Sequence, residues 1–262
     1  MKVSHEFPID YLKEGQQYID YEFCLPHLLD QSDKYKEYFL EAKQKGRYII
    51  MDNSLHELGE PYYADRLYYW LNRLEPNEFI VPDYWEDVNA TLVKAKEWIY
   101  RKIPTSITLM AVVQANNKSD AIRCYDILKT QGYKKIAFSY GANWYYQEGL
   151  STTPDENNKF LTKGYGRYNF IKELYDKGLI VDNDKIHLLG CNLPQEFSLF
   201  KGLPFIDTID TSNPVIHGLA GIKYEDYGLL DKVLHKVDRY VGDEDNWDIV
   251  VYNINKFKTF IK

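Results

Sequence analysis

Short apolar runs recur along the chain, and most of them are separated by segments whose apolar residues have helical spacing. The runs are apolar throughout rather than alternating, which indicates strands that are buried on both faces. Buried strands joined by helices form parallel sheets with right-handed crossovers. The predicted strands lie within residues 18–25, 47–52, 78–83, 107–113, 134–139, 185–190 and 204–210.

The segments between these runs predict amphipathic helices over 63–74, 88–101, 119–131, 169–177 and 195–201. In the helix 119–131, Ser119 is the predicted N-cap and Gly132 is predicted to follow the C-cap. The apolar residues available for the buried face of the helix 88–101 are Ala90, Val93, Ala95, Trp98 and Ile99.

Two segments depart from this alternation. Residues 145–167 are polar and contain glycines and a Thr-Thr-Pro run, which predicts an inserted loop over the active edge of the sheet. Long loops of this kind often act as lids. Residues after Asp226 have a helical pattern, and the apolar run 248–253 predicts a final strand.

The order of these elements predicts an α/β fold, a TIM-type (β/α)8 barrel with an inserted lid loop. A length of 262 residues is ordinary for one such barrel, and no repeat or linker divides the chain. We therefore expect a single barrel domain over 1–262. A doubly wound open sheet is the main alternative.

Composition narrows the class of protein. A hydrophobic content of 45% and a charged content of 27% are typical of a soluble globular protein, and no apolar run is long enough to span a membrane. Residues 1–10 lack the apolar core of a secretory signal. The cysteines Cys24, Cys124 and Cys191 are far apart, which predicts neither a zinc knuckle nor a disulfide framework and fits a reducing cytoplasm. The net charge of −7 argues against a globally basic nucleic-acid-binding protein, but it is compatible with a local basic patch.

Four polar side chains stand where successive predicted strands end: Asp52, Asp83, Gln114 and Asp210. In a β/α barrel, active sites are built at the C-terminal ends of the strands. Carboxylates and a carboxamide in that position can accept hydrogen bonds from the donor edge of a purine-like base. One carboxylate can also act as a nucleophile at a sugar carbon with cationic character. The structural alternative is that each aspartate caps the helix that follows it.

The remaining candidates have weaker signals. His56 lacks the second histidine of a zinc-protease helix, so we predict a loop residue near the site. His187 lies inside an apolar strand and is expected to be a core histidine, whereas His217 is predicted either to contact phosphate or sugar or to hold a turn. No base adjoins Cys191 in the sequence. The Gly-Tyr-Gly-Arg run at 164–167 predicts a mobile loop, with a nucleotide grip as the less favoured alternative.

Taken in order, the strand ends resemble the motifs of the tRNA-guanine transglycosylase (queuine tRNA-ribosyltransferase) family over residues 47–218. The segment 112–115 is similar to the family's Val-Gln-Gly motif. The segment 206–210 is similar to its Ile-Asp-x-Phe-Asp motif, whose second aspartate is the nucleophile. The other segments that carry the resemblance are Met51-Asp52-Asn53-Ser54, Val81-Pro82-Asp83, 137–141 and 187–194.

The resemblance implies exchange of guanine in a nucleic acid for a 7-deazaguanine base. Asp210 would attack C1′ and expel guanine, leaving a covalent glycosyl-enzyme that the incoming base resolves. Asp52 would act as general acid and base or hold the base edge. Asp83 and Gln114 would read the base. The other residues expected to line the substrate site are Gly141, Leu189, Gly190, His56 and His217.

The chain also departs from the family. It lacks the cluster of three cysteines and one histidine that binds zinc, so we expect no metal site and no other cofactor. The basic run after the nucleophile is replaced by Thr-Ser-Asn-Pro-Val-Ile-His-Gly at 211–218. Shortened relatives in phages and bacterial DNA-modification systems exchange guanine in DNA, and the chain resembles that branch more. We therefore expect nucleic acid, DNA slightly ahead of tRNA, and a free 7-deazaguanine base as partners, with a duplex base flipped out for reaction.

Relatives in the family form homodimers, and a DNA-remodelling partner fits the DNA branch, but no residue of this chain identifies an interface for either. The expected location is the cytoplasm of a bacterial or phage-infected cell. Two alternative functions use the same carboxylates. One is an N-glycoside hydrolase or nucleosidase with water as the acceptor, and the other is a protein that only binds a purine-like ligand.

Overall fold

The structure, a computed structural model, describes residues 1–152, 158–234, 237 and 246–262. Eight strands lie within these residues and belong to one sheet. They are β1 (Lys2–Ser4), β2 (Glu22–Cys24), β3 (Ile49–Met51), β4 (Glu78–Ile80), β5 (Thr108–Val113), β6 (Lys135–Ser139), β7 (Lys185–Leu189) and β8 (Ile206–Asp210).

The strand order in the sheet is β1-β8-β7-β6-β5-β4-β3-β2, so strands that follow one another in the chain are mostly neighbours in the sheet. The pairs β2–β3, β3–β4, β4–β5 and β7–β8 are parallel. Parallel neighbours in this order, alternating with helices, define a TIM-type (β/α)8 barrel and confirm the predicted fold class. A doubly wound sheet would reverse its order at a switch point, and this sheet does not.

Helices connect the strands throughout the described residues. The α-helices are α1 (Leu12–Gly15), α2 (Pro26–Gln31), α3 (Asp33–Gln44), α4 (Leu55–Leu58), α5 (Ala64–Leu74), α6 (Val88–Ile99), α7 (Lys118–Thr130), α8 (Tyr145–Gly149), α9 (Lys159–Asp176), α10 (Asn213–Leu219) and α11 (Trp247–Ile261). Three 3₁₀ helices span Ile9–Tyr11, Gln16–Tyr18 and Pro194–Phe200. None of the helices described is long and apolar enough to cross a membrane.

The chain divides into two compact units. The N-terminal unit contains residues 2 and 9–137, and the C-terminal unit contains residues 1, 3–8 and 138–262. The expectation of one barrel domain over 1–262 stays a prediction. In the N-terminal unit, the strands β3 and β4 are buried along their whole length, as their largely apolar sequence predicts. The α5 residues that complete this core share one helix face: Leu67, Trp70, Leu71 and Leu74.

Buried charges at the first residues of two strands are paired within the N-terminal unit. Glu22 accepts hydrogen bonds from Arg47 Nε at 2.6 Å and from the Tyr38 hydroxyl at 2.9 Å. Glu78 lies 2.8 Å from the ammonium group of the buried Lys135. Carboxylates and cations are tolerated in a core only when they are paired and hydrogen-bonded, so both networks hold the strand starts in register.

The sequence placed the eighth strand at the wrong end of the chain. The run 248–253 lies inside the helix α11, whose buried residues include Val250, Ile254 and Phe257 at helical spacing. A short apolar run fits a buried helix as well as a buried strand, and only its packing distinguishes them. The eighth strand is β1, which has three residues and begins with Lys2. Residues 227–234 are not helical either, while 235–236 and 238–245 of that predicted segment lie outside the described residues.

Two details of the predicted helices are also corrected. The N-cap of α7 is Asn117, whose side chain accepts a hydrogen bond from the amide of Asp120, and not Ser119. Gly132 follows the C-cap with φ of +98°, as predicted. Val93 of α6 was predicted to belong to the buried face, but it is 66% exposed. The buried face of that helix instead includes Thr91, whose hydroxyl donates to the carbonyl of Tyr84.

The predicted lid loop is largely helical. Residues 145–149 form α8 and residues 159–167 are the first half of α9, while 153–157 lie outside the described residues. Gly166 faces the backbone of α8 so closely that a Cβ atom would overlap the carbonyl of Tyr145. The glycines at 164 and 166 therefore permit helix packing and do not mark a mobile loop.

Replacement of Gly166 by alanine tests this packing. In a loosely packed helix the change would stabilise the protein by up to about 1 kcal/mol, because alanine has the higher helix propensity. Against the α8 backbone we expect destabilisation of roughly 2–4 kcal/mol. Urea unfolding measures the difference. Gly178→Ala is the matched control, since its Cβ meets no atom within 4 Å and its φ of +72° alone costs about 1 kcal/mol.

Candidate functional site

A cluster of carboxylate and amide side chains lies at the C-terminal ends of β3, β4 and β5 in the N-terminal unit. We call it the Asp83 cluster, and it consists of Asp52, Asn53, Asp83 and Gln114. Asp52 and Gln114 directly follow β3 and β5, and Asp83 follows β4 by three residues. The three strands pair in parallel, so their carboxyl ends lie along the same edge. All four side chains are buried.

Amide groups hold both oxygens of Asp83. Asn53 Nδ2 donates to Asp83 Oδ1 at 2.6 Å and to the carbonyl of Val81 at 3.0 Å. Gln114 Nε2 donates to Asp83 Oδ2 at 2.7 Å, while its Oε1 accepts from the amide of Glu86 at 3.1 Å. The carboxylate is therefore oriented by side chains from two neighbouring strand ends, and the same bonds fix which end of the Gln114 amide is the donor.

The turn after Asp52 is tight and strained. The amide of Ser54 donates to Asp52 Oδ2 at 2.8 Å, and Ser54 has φ of +64°, which is unfavourable for a residue with a side chain. The Ser54 hydroxyl lies 2.8 Å from His27 Nδ1. Glu86, whose amide bonds to Gln114, also has a positive φ, of +51°. Strained backbone thus follows two of the carboxylates, as is common at functional sites.

Burial changes the proton affinity of this cluster. Removal from solvent raises the pKa of Asp83 from 3.8 to about 6, although the hydrogen bonds from Gln114 and Asn53 act in the opposite direction. At neutral pH the group is mostly ionised and accepts hydrogen bonds on both oxygens. In mildly acidic solution it takes up a proton, which would convert one oxygen from an acceptor into a donor.

His56 lies outside this hydrogen-bonded cluster. It is exposed on α4, with its ring 6.3 Å from that of Trp85 in an edge-on arrangement. The sequence predicted that His56 lies in a loop, but the structure places it in a short helix after β3. A role in substrate binding stays a prediction.

A second cluster lies on the paired strands β7 and β8 in the C-terminal unit. We call it the Asp210 cluster, and it consists of His187, Thr208 and Asp210. His187 Nε2 is 2.9 Å from Asp210 Oδ1, and His187 Nδ1 is 2.7 Å from the Thr208 hydroxyl. The His187 side chain is fully buried and that of Asp210 is 6% exposed. The sequence predicted a core histidine here and gave no sign that its ring contacts Asp210.

The predicted residues after β6 and β7 are held through their backbones. Buried Arg167 donates to the carbonyls of Leu189 and Gly190 at 3.1 and 3.0 Å and pairs with buried Glu196. The amide of Gly141 donates to the Ser139 hydroxyl at 3.2 Å. Arg167 therefore fixes the chain after β7, a role that its place in a predicted mobile loop did not indicate.

Gly190 needs to be glycine. It has φ of +59°, and an added Cβ would overlap the ring of Tyr140. Lys232 Nζ lies 3.9 Å from the centroid of the same ring and donates to the carbonyl of Cys191 at 2.6 Å. The Cys191 thiol is buried, and burial raises its pKa to about 12, which makes it a poor nucleophile, in agreement with the sequence.

Both ring nitrogens of His217 are hydrogen-bonded to the protein backbone. Its Nδ1 donates to the carbonyl of Asn213 at 2.8 Å, and its Nε2 accepts from the amide of Val233 at 3.1 Å. Burial lowers the pKa of His217, which favours this neutral form. Both ring nitrogens therefore hold the chain between α10 and residue 233, and the structural alternative accounts for every polar atom of the ring.

The described residues contain no group of three or more His, Cys, Asp or Glu side chains that could hold a metal ion. No protein-family model matches the chain, and no curated protein sequence matches it significantly. The resemblance to the transglycosylase family therefore rests on the motifs and stays a prediction.

The pKa of Asp83 gives a testable pH dependence of stability. Because the folded state holds the proton more tightly, the contribution of this group is full below about pH 4 and is lost as pH rises to about 6. The difference between the ordinary pKa of 3.8 and the folded-state pKa of about 6 corresponds to roughly 3 kcal/mol of unfolding free energy. Asp83→Asn cannot titrate, so its free energy of unfolding should rise relative to wild type by up to that amount between pH 4 and pH 7. Urea unfolding at each pH measures the change, and a constant offset between the two proteins would contradict the raised pKa.

Proposed function

We propose that this protein is a nucleic-acid guanine transglycosylase that replaces guanine with a 7-deazaguanine base. The observation that supports it most is the environment of Asp210. One of its oxygens accepts a hydrogen bond from a buried histidine, and the other makes no hydrogen bond with the described residues. A carboxylate held in this way can use its second oxygen as a nucleophile.

Carboxylate attack suits a glycosidic carbon. Cleavage of the bond between sugar and base passes through a state with positive charge on C1′ and its ring oxygen. An ionised carboxylate stabilises that charge and then captures the carbon as an ester. The same role for the corresponding aspartate is what the motif at 206–210 implies.

The Asp83 cluster supports recognition of guanine. The N1–H and exocyclic amine of guanine are donors, and an ionised carboxylate offers only acceptors. Each oxygen of Asp83 accepts one hydrogen bond from a side-chain amide, and a carboxylate can accept further bonds from the donors of a base. We assign Asp83 to the donor edge of the base and Gln114 to holding that carboxylate in place.

The proposed reaction balances in two displacements. Asp210 attacks C1′, the bond from C1′ to N9 breaks with its electron pair moving to guanine, and guanine takes a proton from the general acid. The incoming 7-deazaguanine then loses its N9 proton to the general base and attacks C1′, which breaks the ester and restores the Asp210 carboxylate. We assign the acid and base role to Asp52. This residue directly follows β3, which is the neighbour of β4 in the sheet.

We propose that the substrate polymer is DNA, with tRNA as the less favoured choice. The chain lacks the cysteine cluster and the basic run that accompany tRNA use in the family it resembles. Its net charge of −7 supplies no overall attraction for a polyanion, so affinity would come from a local patch or a partner protein. In a duplex, the target guanine must leave the stack before its C1′ can be attacked.

An exchange assay with labelled guanine tests the proposal. The protein is offered duplex DNA, single-stranded DNA and bulk tRNA, and incorporation of label is measured for each. We expect label to enter DNA most, and Asp210→Ala to lower the rate at least about 10³-fold. Asp207→Asn is the matched control, because Asp207 lies on the same strand but on its opposite face. Its exchange rate should stay within about twofold of wild type.

Other products would replace the proposal with its alternatives. Free guanine together with abasic sugar, without incorporation, would indicate a hydrolase that uses water as the acceptor. Tight binding of a 7-deazaguanine that survives Asp210→Asn, with no turnover on any polymer, would indicate a binding protein. A covalent adduct on Asp210, trapped from a stalled reaction and located by mass spectrometry, would separate exchange through an ester from direct displacement.

A further inference from the structure

The imidazole of His187 connects Asp210, the proposed nucleophile, with the hydroxyl of Thr208 through two hydrogen bonds. His187 projects from the middle of β7, and Thr208 and Asp210 project from the same face of β8 two residues apart. The three side chains form a continuous chain of hydrogen bonds, with distances of 2.7 and 2.9 Å. All three residues are buried, so water does not compete strongly for these bonds.

The partners determine which ring nitrogen carries the proton. An ionised carboxylate can only accept, so Nε2 of His187 must be the donor to Asp210 Oδ1. In the neutral ring Nδ1 is then an acceptor, and the Thr208 hydroxyl supplies its proton. In the other tautomer, a lone pair on Nε2 would face a lone pair of the carboxylate, which is repulsive. The carboxylate of Asp210 therefore selects the tautomer, and the Thr208 hydroxyl, which can donate or accept, matches it by donating to Nδ1.

We infer that His187 is a positioning residue that fixes the attacking carboxylate of Asp210 through Nε2–H, with the Thr208 hydroxyl holding the orientation of the ring through Nδ1. This inference rests on the proposed function for its catalytic consequence. With Oδ1 held by His187, rotation of the carboxylate is restricted and Oδ2 is presented to C1′. Histidine here acts through Asp210 and does not touch the substrate.

The role predicts a specific pattern among variants of His187. His187→Leu keeps the approximate volume but removes both nitrogens, and we expect kcat to fall on the order of 10²-fold with KM for the polymer little changed. The amide nitrogen of glutamine can occupy the place of Nε2, so His187→Gln should retain most of the rate. In His187→Asn the amide reaches only the Nδ1 position, so this variant should resemble His187→Leu.

Thr208 gives an independent pair of variants. Thr208→Val is nearly isosteric and removes only the hydroxyl, so we expect kcat to fall roughly tenfold as Nδ1 loses its partner and the ring loses its fixed orientation. Thr208→Ser restores the hydroxyl and should restore the rate. Rescue by glutamine and by serine would not follow from a purely structural role, since filling the space with leucine or valine would then suffice. Equal rates for His187→Leu and wild type would overturn the inference while leaving the transglycosylase proposal intact.

A spectroscopic measurement tests the pairing without any turnover. Histidine-labelled protein gives the tautomer of each ring from the correlation of ring nitrogens with ring protons, and the signal of His187 is assigned by its loss in His187→Gln. We expect Nε2 to carry a proton, and a shift of that signal in Asp210→Ala. A ring without a proton on Nε2 would overturn the inference even if no polymer is a substrate, whereas absence of exchange with Nε2 protonated would overturn only the proposed function.

Discussion

Burial of carboxylates at strand ends is the constraint on which both clusters depend. A carboxylate removed from water is tolerated only where the protein supplies donors, because its desolvation otherwise costs several kcal/mol. In the N-terminal unit, Asn53 and Gln114 supply them to Asp83. In the C-terminal unit, His187 supplies one to Asp210. The surrounding turns are shaped by the same need, since Asn53 also donates to the carbonyl of Val81 directly after β4, and Gln114 accepts from the amide of Glu86.

The two carboxylates are held differently, and the difference suits different tasks. Both oxygens of Asp83 have amide partners, which makes it a rigid acceptor for a ligand that approaches with donors. Asp210 has one histidine partner within the described residues, which leaves an oxygen for chemistry. Arg167 adds support in the C-terminal unit, because its pairing with Glu196 fixes the carbonyls of Leu189 and Gly190 after β7. Rigid placement of such groups is what lowers a reaction barrier without reorganisation at the moment of reaction.

The sequence predicted most of the sheet because continuous apolar runs leave few alternatives. Six of the eight strands were found from such runs, a seventh was expected within 18–25, and the order of strands and helices gave the barrel. The failures share one cause. The run 248–253 is equally compatible with helix and strand, and β1 is too short to have a pattern. The glycines at 164 and 166 look like loop residues until Glu196 packs on the first and α8 on the second. In each case the deciding contact is distant in the sequence.

The sequence by itself determined the fold class and the strand-end positions of Asp52, Asp83, Gln114 and Asp210, because local hydrophobic patterning specifies where each strand stops. The tertiary structure decided what those side chains bond to. Pairing of β7 with β8 brings His187 to Asp210, and the parallel ends of β3, β4 and β5 bring two amides to Asp83. It also assigned His217 to backbone partners and Arg167 to the chain after β7. Hydrogen bonds between strands depend on register and burial, which no local pattern contains.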